Sequence, residues 1–217
     1  MTGTHTEKYE NQRMQAIRSA AAVFAEKGYH GSSTRDIAEY MGIKQGSLYY
    51  YFKSKEDALS EVCLYGMHDY VERMNTISAS DQTFREKLVA TVTSHVTKYR
   101  EKNEALRVYN AERLYLPESK RTKLKELGTG YRQQLEMIFA EGIKNGEVRD
   151  SIDCQFAAHA VIGMCNAWGE FIDRHPDMDL FQLIENCVDL LIHGFEDNSF
   201  KENNIRENNQ SIKLGVE

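Results

Sequence analysis

The sequence predicts an all-α protein, and three observations predict it: few turn-forming residues, apolar side chains at helical spacing, and long stretches between breakers. Only 2 prolines and 14 glycines punctuate 217 residues, whereas a sheet protein needs a turn every ~8–12 residues. With 41% apolar and 28% charged side chains the chain can bury a core, which excludes disordered and collagen-like polymers. No run approaches the ~18 consecutive apolar residues of a membrane span, and residues 1–11 are polar, so a cytoplasmic protein with no membrane partner is expected.

Ile17, Ala20, Ala21 and Phe24 fall at i, i+3, i+4 and i+7, the stripe of a first helix over about 10–27 that stops at Gly28. Ser33 and Asp36 form a capping pair for a short second helix carrying Ile37, Ala38 and Met41 and ending at Gly42. After the turn 42–44, residues 45–52 read as a third helix with Leu48, Tyr49 and Phe52 facing inward. Ser54 and Asp57 open a fourth, long helix carrying Ala58, Val62, Tyr65 and Val71 toward Ile77. Further helices are expected at about 83–101, 103–115, 118–145, 154–174 and 178–196, with Gly128 and Gly130 as a candidate kink. Residues 198–217 lack periodicity and are expected to be a disordered tail.

Charge is distributed unevenly. Between residues 11 and 55 there are seven Lys and Arg against three Asp and Glu, a balance of +4, while the whole chain is −6, leaving −10 elsewhere. A small basic module on an acidic body suits a protein of which one end meets a polyanion.

The segment 33–52, two short helices joined by a glycine turn, has the helix-turn-helix pattern that presents a second helix to the DNA major groove. Gln45 can pair bidentately with adenine, Ser47 can donate or accept, Lys44 can reach guanine or phosphate, and Gly46 permits close backbone approach. Ser33, Thr34, Tyr50, Tyr51, Lys53 and Lys55 supply hydroxyls and charges for phosphates. The same pattern also suits a structural three-helix unit with half-buried tyrosines, and a helical protein-interaction module that binds no DNA is the alternative function.

Residues 22–28 (AVFAEKG), Ser32-Ser33 with Asp36-Ile37-Ala38, and the run from Gly42 through Phe52 to Lys55, Glu56, Ala58 and Leu59 resemble, in order and spacing, the DNA-binding region of TetR-family transcriptional regulators. The resemblance implies a ligand-responsive homodimer, most simply a repressor on a palindromic operator of double-stranded DNA. Residues 8–54 would form the DNA-binding domain, and residues 55–197 a helical bundle that binds a small-molecule effector and dimerises through its last two helices. It assigns DNA contact to Ser33, Gln45, Ser47, Tyr49, Tyr50, Tyr51 and Lys55. Lys44 stands where the family usually has a Ser or Thr cap, and Tyr51 where it often has His, so the recognition helix's first turn lacks its usual cap.

Beyond about residue 65 the effector is argued from residues. Candidate pocket groups are His95, Tyr99, Arg107, Tyr109, Asn110, Arg113, Asn166 and Trp168, and the cluster Lys120, Arg121, Lys123 and Lys125 is either a solvated face or a steering patch for an anion. The body resembles regulators of acyl-CoA or other lipid-like acids. Two amphipathic stripes, from Ala157 to Ile172 and from Leu180 to Phe195, suit a dimer seam or a monomer core. The four cysteines contain no C-x-x-C, and no histidine has Asp or Glu three residues before it. Nucleophile-elbow, P-loop and dinucleotide-binding motifs are absent as well, so no metal, no cofactor and no enzyme activity are expected.

Overall fold

The computed structural model describes residues 5–175 and 177–194, and among these every regular element is helical. Helix α1 (His5–Gly31) buries Ile17, Ala20, Ala21 and Phe24. Its regular ladder breaks at Gly28, whose φ of 71° and ψ of 160° a side chain would resist. Helix α2 (Thr34–Met41) begins with the expected reciprocal cap between Ser33 and Asp36 and ends at Gly42 in the left-handed conformation. Helix α3 is shorter than its sequence suggests: Gln45–Leu48 is helical, and residues 49–51 continue as turns. Lys44 gives its first turn no side-chain cap, as the departure from Ser or Thr implies. The inward face is Leu48 and Phe52 alone, since Tyr49 is 54% exposed, contrary to its expected packing.

The expected long fourth helix is two. Helix α4 (Lys55–Met67) is capped by Ser54, which accepts from the Asp57 amide, and α5 (Tyr70–Ser78) comes after a break at His68 and Asp69. Asp69 has φ of 70°, a conformation aspartate tolerates better than most residues, and its carboxylate contacts the His68 ring. Helices α6 (Phe84–Glu101) and α7 (Asn103–Glu112) lead into a 3₁₀ turn, Arg113–Tyr115. Helix α8 (Glu118–Lys144) runs unbroken through Gly128 and Gly130, so these glycines do not divide it, and α9 (Cys154–Arg174) comes next. Helix α10 (Leu180–His193) forms a unit of its own from Asp179 onward, opened by the Asp179 carboxylate on the Phe181 amide at 2.9 Å. Phe195 and the expected tail at 198–217 lie outside the described residues.

One apolar cluster joins Phe24, Ile37, Leu48, Phe52 and Leu59 to Ala105, Val108 and Leu116, so α7 packs directly on α1 and α4. The expected domain border at residues 54 and 55 therefore falls within a shared core. Helices α4 and α7 approach closely at Gly66, where an added Cβ would stand 3.1 Å from the Ala105 carbonyl oxygen. Backbone cannot swing aside as a side chain can, so Gly66→Val is expected to destabilise the protein by about 1–3 kcal/mol through overpacking. Urea unfolding checks this, and an unchanged midpoint would contradict the packing of α4 on α7.

Candidate functional site

Two surfaces carry the candidate residues. On the first, Lys44, Gln45, Gly46 and Ser47 form a continuous exposed run at the start of α3, beside exposed Ser33, Tyr49 and Tyr50, the last 81% exposed. The local causes are legible: the α2 cap and the left-handed Gly42 turn the chain sharply, and Leu48 and Phe52 pin the opposite side of α3 to the core. Gln45 donates its amide to the Thr34 hydroxyl at 3.1 Å, which ties the head of α3 to the head of α2. Ser33 spends its hydroxyl on the Asp36 cap, and Lys27 with Ser33 holds the Asp36 carboxyl well below the usual carboxylate range.

Tyr51 is half-buried rather than free, with its hydroxyl on Gln12 at 3.5 Å and its ring 6.1 Å from that of Tyr9. Lys53 is exposed. Lys55 is also engaged within the fold: its ammonium donates to the Ser32 carbonyl and lies 4.4 Å over the Tyr29 ring. A cation in that position steadies the junction between α1, α2 and α4 while leaving further N–H donors for a phosphate.

The second surface is a cavity between α4, α5, α6, α7, α8 and α9. An inner chamber of about 250 Å³ is lined by residues that include Met67, Tyr70, His95, Leu106, Tyr131, Ile162 and Asn166. It adjoins an outer chamber of about 220 Å³, lined among others by Leu114, Arg121, Leu124 and Lys125. Tyr109, Arg113, Gly128 and Arg132 line both and so stand between them. The outer chamber is cationic: Arg113, Arg121, Lys125 and Arg132 face two carboxylate partners, Glu118 and Glu136. The Arg121 Nε is buried without a hydrogen-bond partner among the described residues. Arg113 donates to the Tyr109 and Asn110 carbonyls and sits 5.0 Å over the Tyr109 ring.

Within the inner chamber, the His95 Nε2 lies 3.2 Å from the Asn166 Oδ1 and its Nδ1 3.3 Å from the Tyr131 hydroxyl. An amide oxygen only accepts, so Nε2 carries the hydrogen and Nδ1 receives the Tyr131 proton. Burial pushes His95 down from its ordinary 6.5 to about 4, against the opposing pull of Asn166.

Of the sequence candidates, His95, Tyr109, Asn110, Arg113 and Asn166 meet at the cavity. Arg107 is exposed and Trp168 half-buried, and neither lines it; the Tyr99 side chain lies outside the described residues. Sequence reasoning missed Tyr70, Tyr131, Arg132, His159, Gly128 and the apolar wall. Lys120 leaves the basic cluster to pair with Asp57 at the start of α4, 2.9 Å away. Among the described residues no group of three or more His, Cys, Asp or Glu could hold a metal, and no helix is long and apolar enough to cross a membrane.

Comparison with known proteins respects this division. The family described as "Bacterial regulatory proteins, tetR family" matches residues 16–62, and "Tetracyclin repressor-like, C-terminal domain" matches residues 81–195. The fatty acid metabolism regulator protein of Bacillus subtilis is 30% identical over 182 residues, which span 83% of this chain and 94% of that protein. The HTH-type transcriptional repressor KstR2 of Rhodococcus jostii is 33% identical over 147 residues, 67% of this chain and 72% of that one. The crystal structure of FadR from Bacillus subtilis in complex with stearoyl-CoA superposes with a TM-score of 0.69 at 30% identity, covering 84% of this chain and 99% of that one.

The buried imidazole makes a pH prediction. An unfolded His95 takes up a proton as pH falls through 6.5, but the folded one stays neutral to about 4, so stability is full above the upper value and declines across this window. Thermal melts between pH 7 and pH 4.5 should show a smaller loss of Tm for His95→Gln, which keeps an uncharged donor and acceptor there. Equal losses in both proteins would contradict a neutral, buried His95.

Proposed function

The chain belongs to the TetR family of bacterial regulatory proteins and is a DNA-binding transcriptional regulator, and we propose that it is a cytoplasmic repressor that grips operator DNA as a homodimer and lets go when an acyl-coenzyme A enters the cavity. The observation that carries this reading is the pairing of a tyrosine-rich chamber, with Met67, Leu106 and Ile162 in its wall, with an adjoining one lined by Arg113, Arg121, Lys125 and Arg132. An acyl-coenzyme A has a hydrocarbon end and a polyanionic phosphate end to match them. The related regulator solved with stearoyl-CoA supports the assignment, and the relative named as a repressor supports the direction of control. On this reading the molecule is a regulator and not an enzyme.

The DNA face comprises Ser33, Thr34, Lys44, Gln45, Gly46, Ser47, Tyr49, Tyr50, Tyr51 and Lys55, with Gln45 and Ser47 at base edges and the rest at phosphates or supporting the turn. The wall of the cavity reaches that face by two routes. Met67 ends α4, whose 13 residues span about 20 Å back to Lys55. Arg113 comes directly after Glu112, whose carboxylate accepts the Tyr29 amide of α1 at 3.2 Å. A ligand that fits a different placement of Met67 and Arg113 shifts the recognition helices by its differential affinity for the two arrangements.

Duplexes selected from a random pool by the full chain should contain an inverted repeat with half-sites about one helical turn apart, and an acyl-CoA, unlike free coenzyme A, should release them. Failure to enrich any sequence, or release by neither an acyl-CoA nor a free fatty acid, would sink the reading. In the same assay Gln45→Ala should relax preference at one base position per half-site, a loss of about 1–3 kcal/mol of discrimination. Arg121→Ser combined with Lys125→Ser should weaken acyl-CoA binding by about tenfold at low salt, with a smaller gap at high salt, and leave duplex binding intact. Titration calorimetry at two ionic strengths reads the difference.

A further inference from the structure

The inner chamber departs in two ways from a sleeve for a plain hydrocarbon chain. The first is size. A methylene occupies about the volume of one liquid water, ~30 Å³, so a chamber of about 250 Å³ holds roughly eight such groups. An eighteen-carbon tail needs about twice that space. The second is polarity in its lining. Side chains that line the inner chamber but not the outer one include no Lys, Arg, Asp or Glu, yet they include Asn166 and Tyr131. Asn166 commits its amide oxygen to His95, and its –NH₂ has no protein partner among the described residues. Tyr131 gives its proton to His95, and its oxygen still has a lone pair to offer. A saturated tail laid against these groups would strip them of water and return nothing, which weakens binding by about tenfold relative to a tail that hydrogen-bonds them.

We propose that the acyl group sensed by this protein is of medium length, about eight carbons, and carries a hydroxyl or keto group that is received by Asn166 and Tyr131. This rests on the acyl-coenzyme A reading above and narrows it. A neutral polar group suits Asn166 and Tyr131, which are themselves neutral, while Arg113 and Arg132 stand in the lining that the two chambers share. His95 acts as a positioning residue: it holds the Asn166 oxygen and the Tyr131 proton, and so turns their free donor and acceptor toward the chamber.

The test is titration calorimetry of the full chain with coenzyme A, octanoyl-CoA, 8-hydroxyoctanoyl-CoA and stearoyl-CoA. The hydroxylated thioester should bind about tenfold more tightly than octanoyl-CoA and more tightly than stearoyl-CoA. In Tyr131→Phe and in Asn166→Leu, each checked for folding by circular dichroism, the ratio between the hydroxylated and plain octanoyl ligands should fall toward one. Tightest binding of stearoyl-CoA, or equal binding of the two octanoyl ligands, overturns this inference while leaving the acyl-coenzyme A reading in place. Should none of the thioesters bind better than coenzyme A alone, that underlying reading fails and this inference fails with it.

Discussion

The organisation of the molecule depends on one hydrogen bond, from the Tyr29 amide to the Glu112 carboxylate. Because α1 breaks at Gly28, the next amide is released from the helical ladder and must find another acceptor. The acceptor comes from α7, the helix whose next residue lines the cavity. Gly28 suits the break because its φ of 71° resists a side chain, whereas a Cβ there would meet the same carboxylate at an ordinary 3.6 Å. Around this bond the Tyr29 ring stacks on Tyr115 at 6.0 Å and receives Lys55 on its face. The helix-turn-helix is thereby fixed to the 3₁₀ turn 113–115 as well as to α4.

That arrangement explains why the DNA-binding helices and the effector bundle do not read as separate bodies in the structure. Val108 and Leu116 belong to the same apolar cluster as Phe24 and Leu59. Lys120 of α8 pairs with Asp57, which itself accepts the Lys53 amide at the start of α4. Close packing transmits displacement because interiors have few voids to absorb it. On the proposed reading, this shared core is what carries a change at the cavity to the helix-turn-helix.

The elements legible in the sequence are those with strong local chemistry. The Ser33–Asp36 cap, the Gly42 stop and the Ile17–Phe24 stripe fix α1 and α2 with no help from distant residues. Sequence spacing overextends helix α3 because Leu48, Tyr49 and Phe52 all satisfy a helical period, but with only a lysine at its cap and a core that needs just Leu48 and Phe52, the chain loosens into turns after one helical turn. The split between α4 and α5 is illegible, since His68 and Asp69 are not breakers and the left-handed Asp69 is imposed by the packing of α5. Burial of Tyr70 against His95, with rings 5.3 Å apart, requires the chain to turn there.

The cavity shows the same limit from the other side. His95, Asn110, Arg113 and Asn166 are visible as polar groups in apolar surroundings, but Tyr70, Tyr131 and Gly128 are not, because a tyrosine or glycine within a helix has many structural uses. Their role comes from convergence: separate helices must meet before the Tyr131 hydroxyl finds His95 and before Gly128 stands beside the Tyr109 hydroxyl, 3.7 Å from where a Cβ would be. Composition also misleads about charge. The acidic average of the body hides Arg113, Arg121, Lys125 and Arg132 gathered at one opening, and a local field depends on where charges stand rather than on their sum. The body can therefore be acidic overall, which discourages DNA from binding along it, and still present a cationic entrance to a small anion.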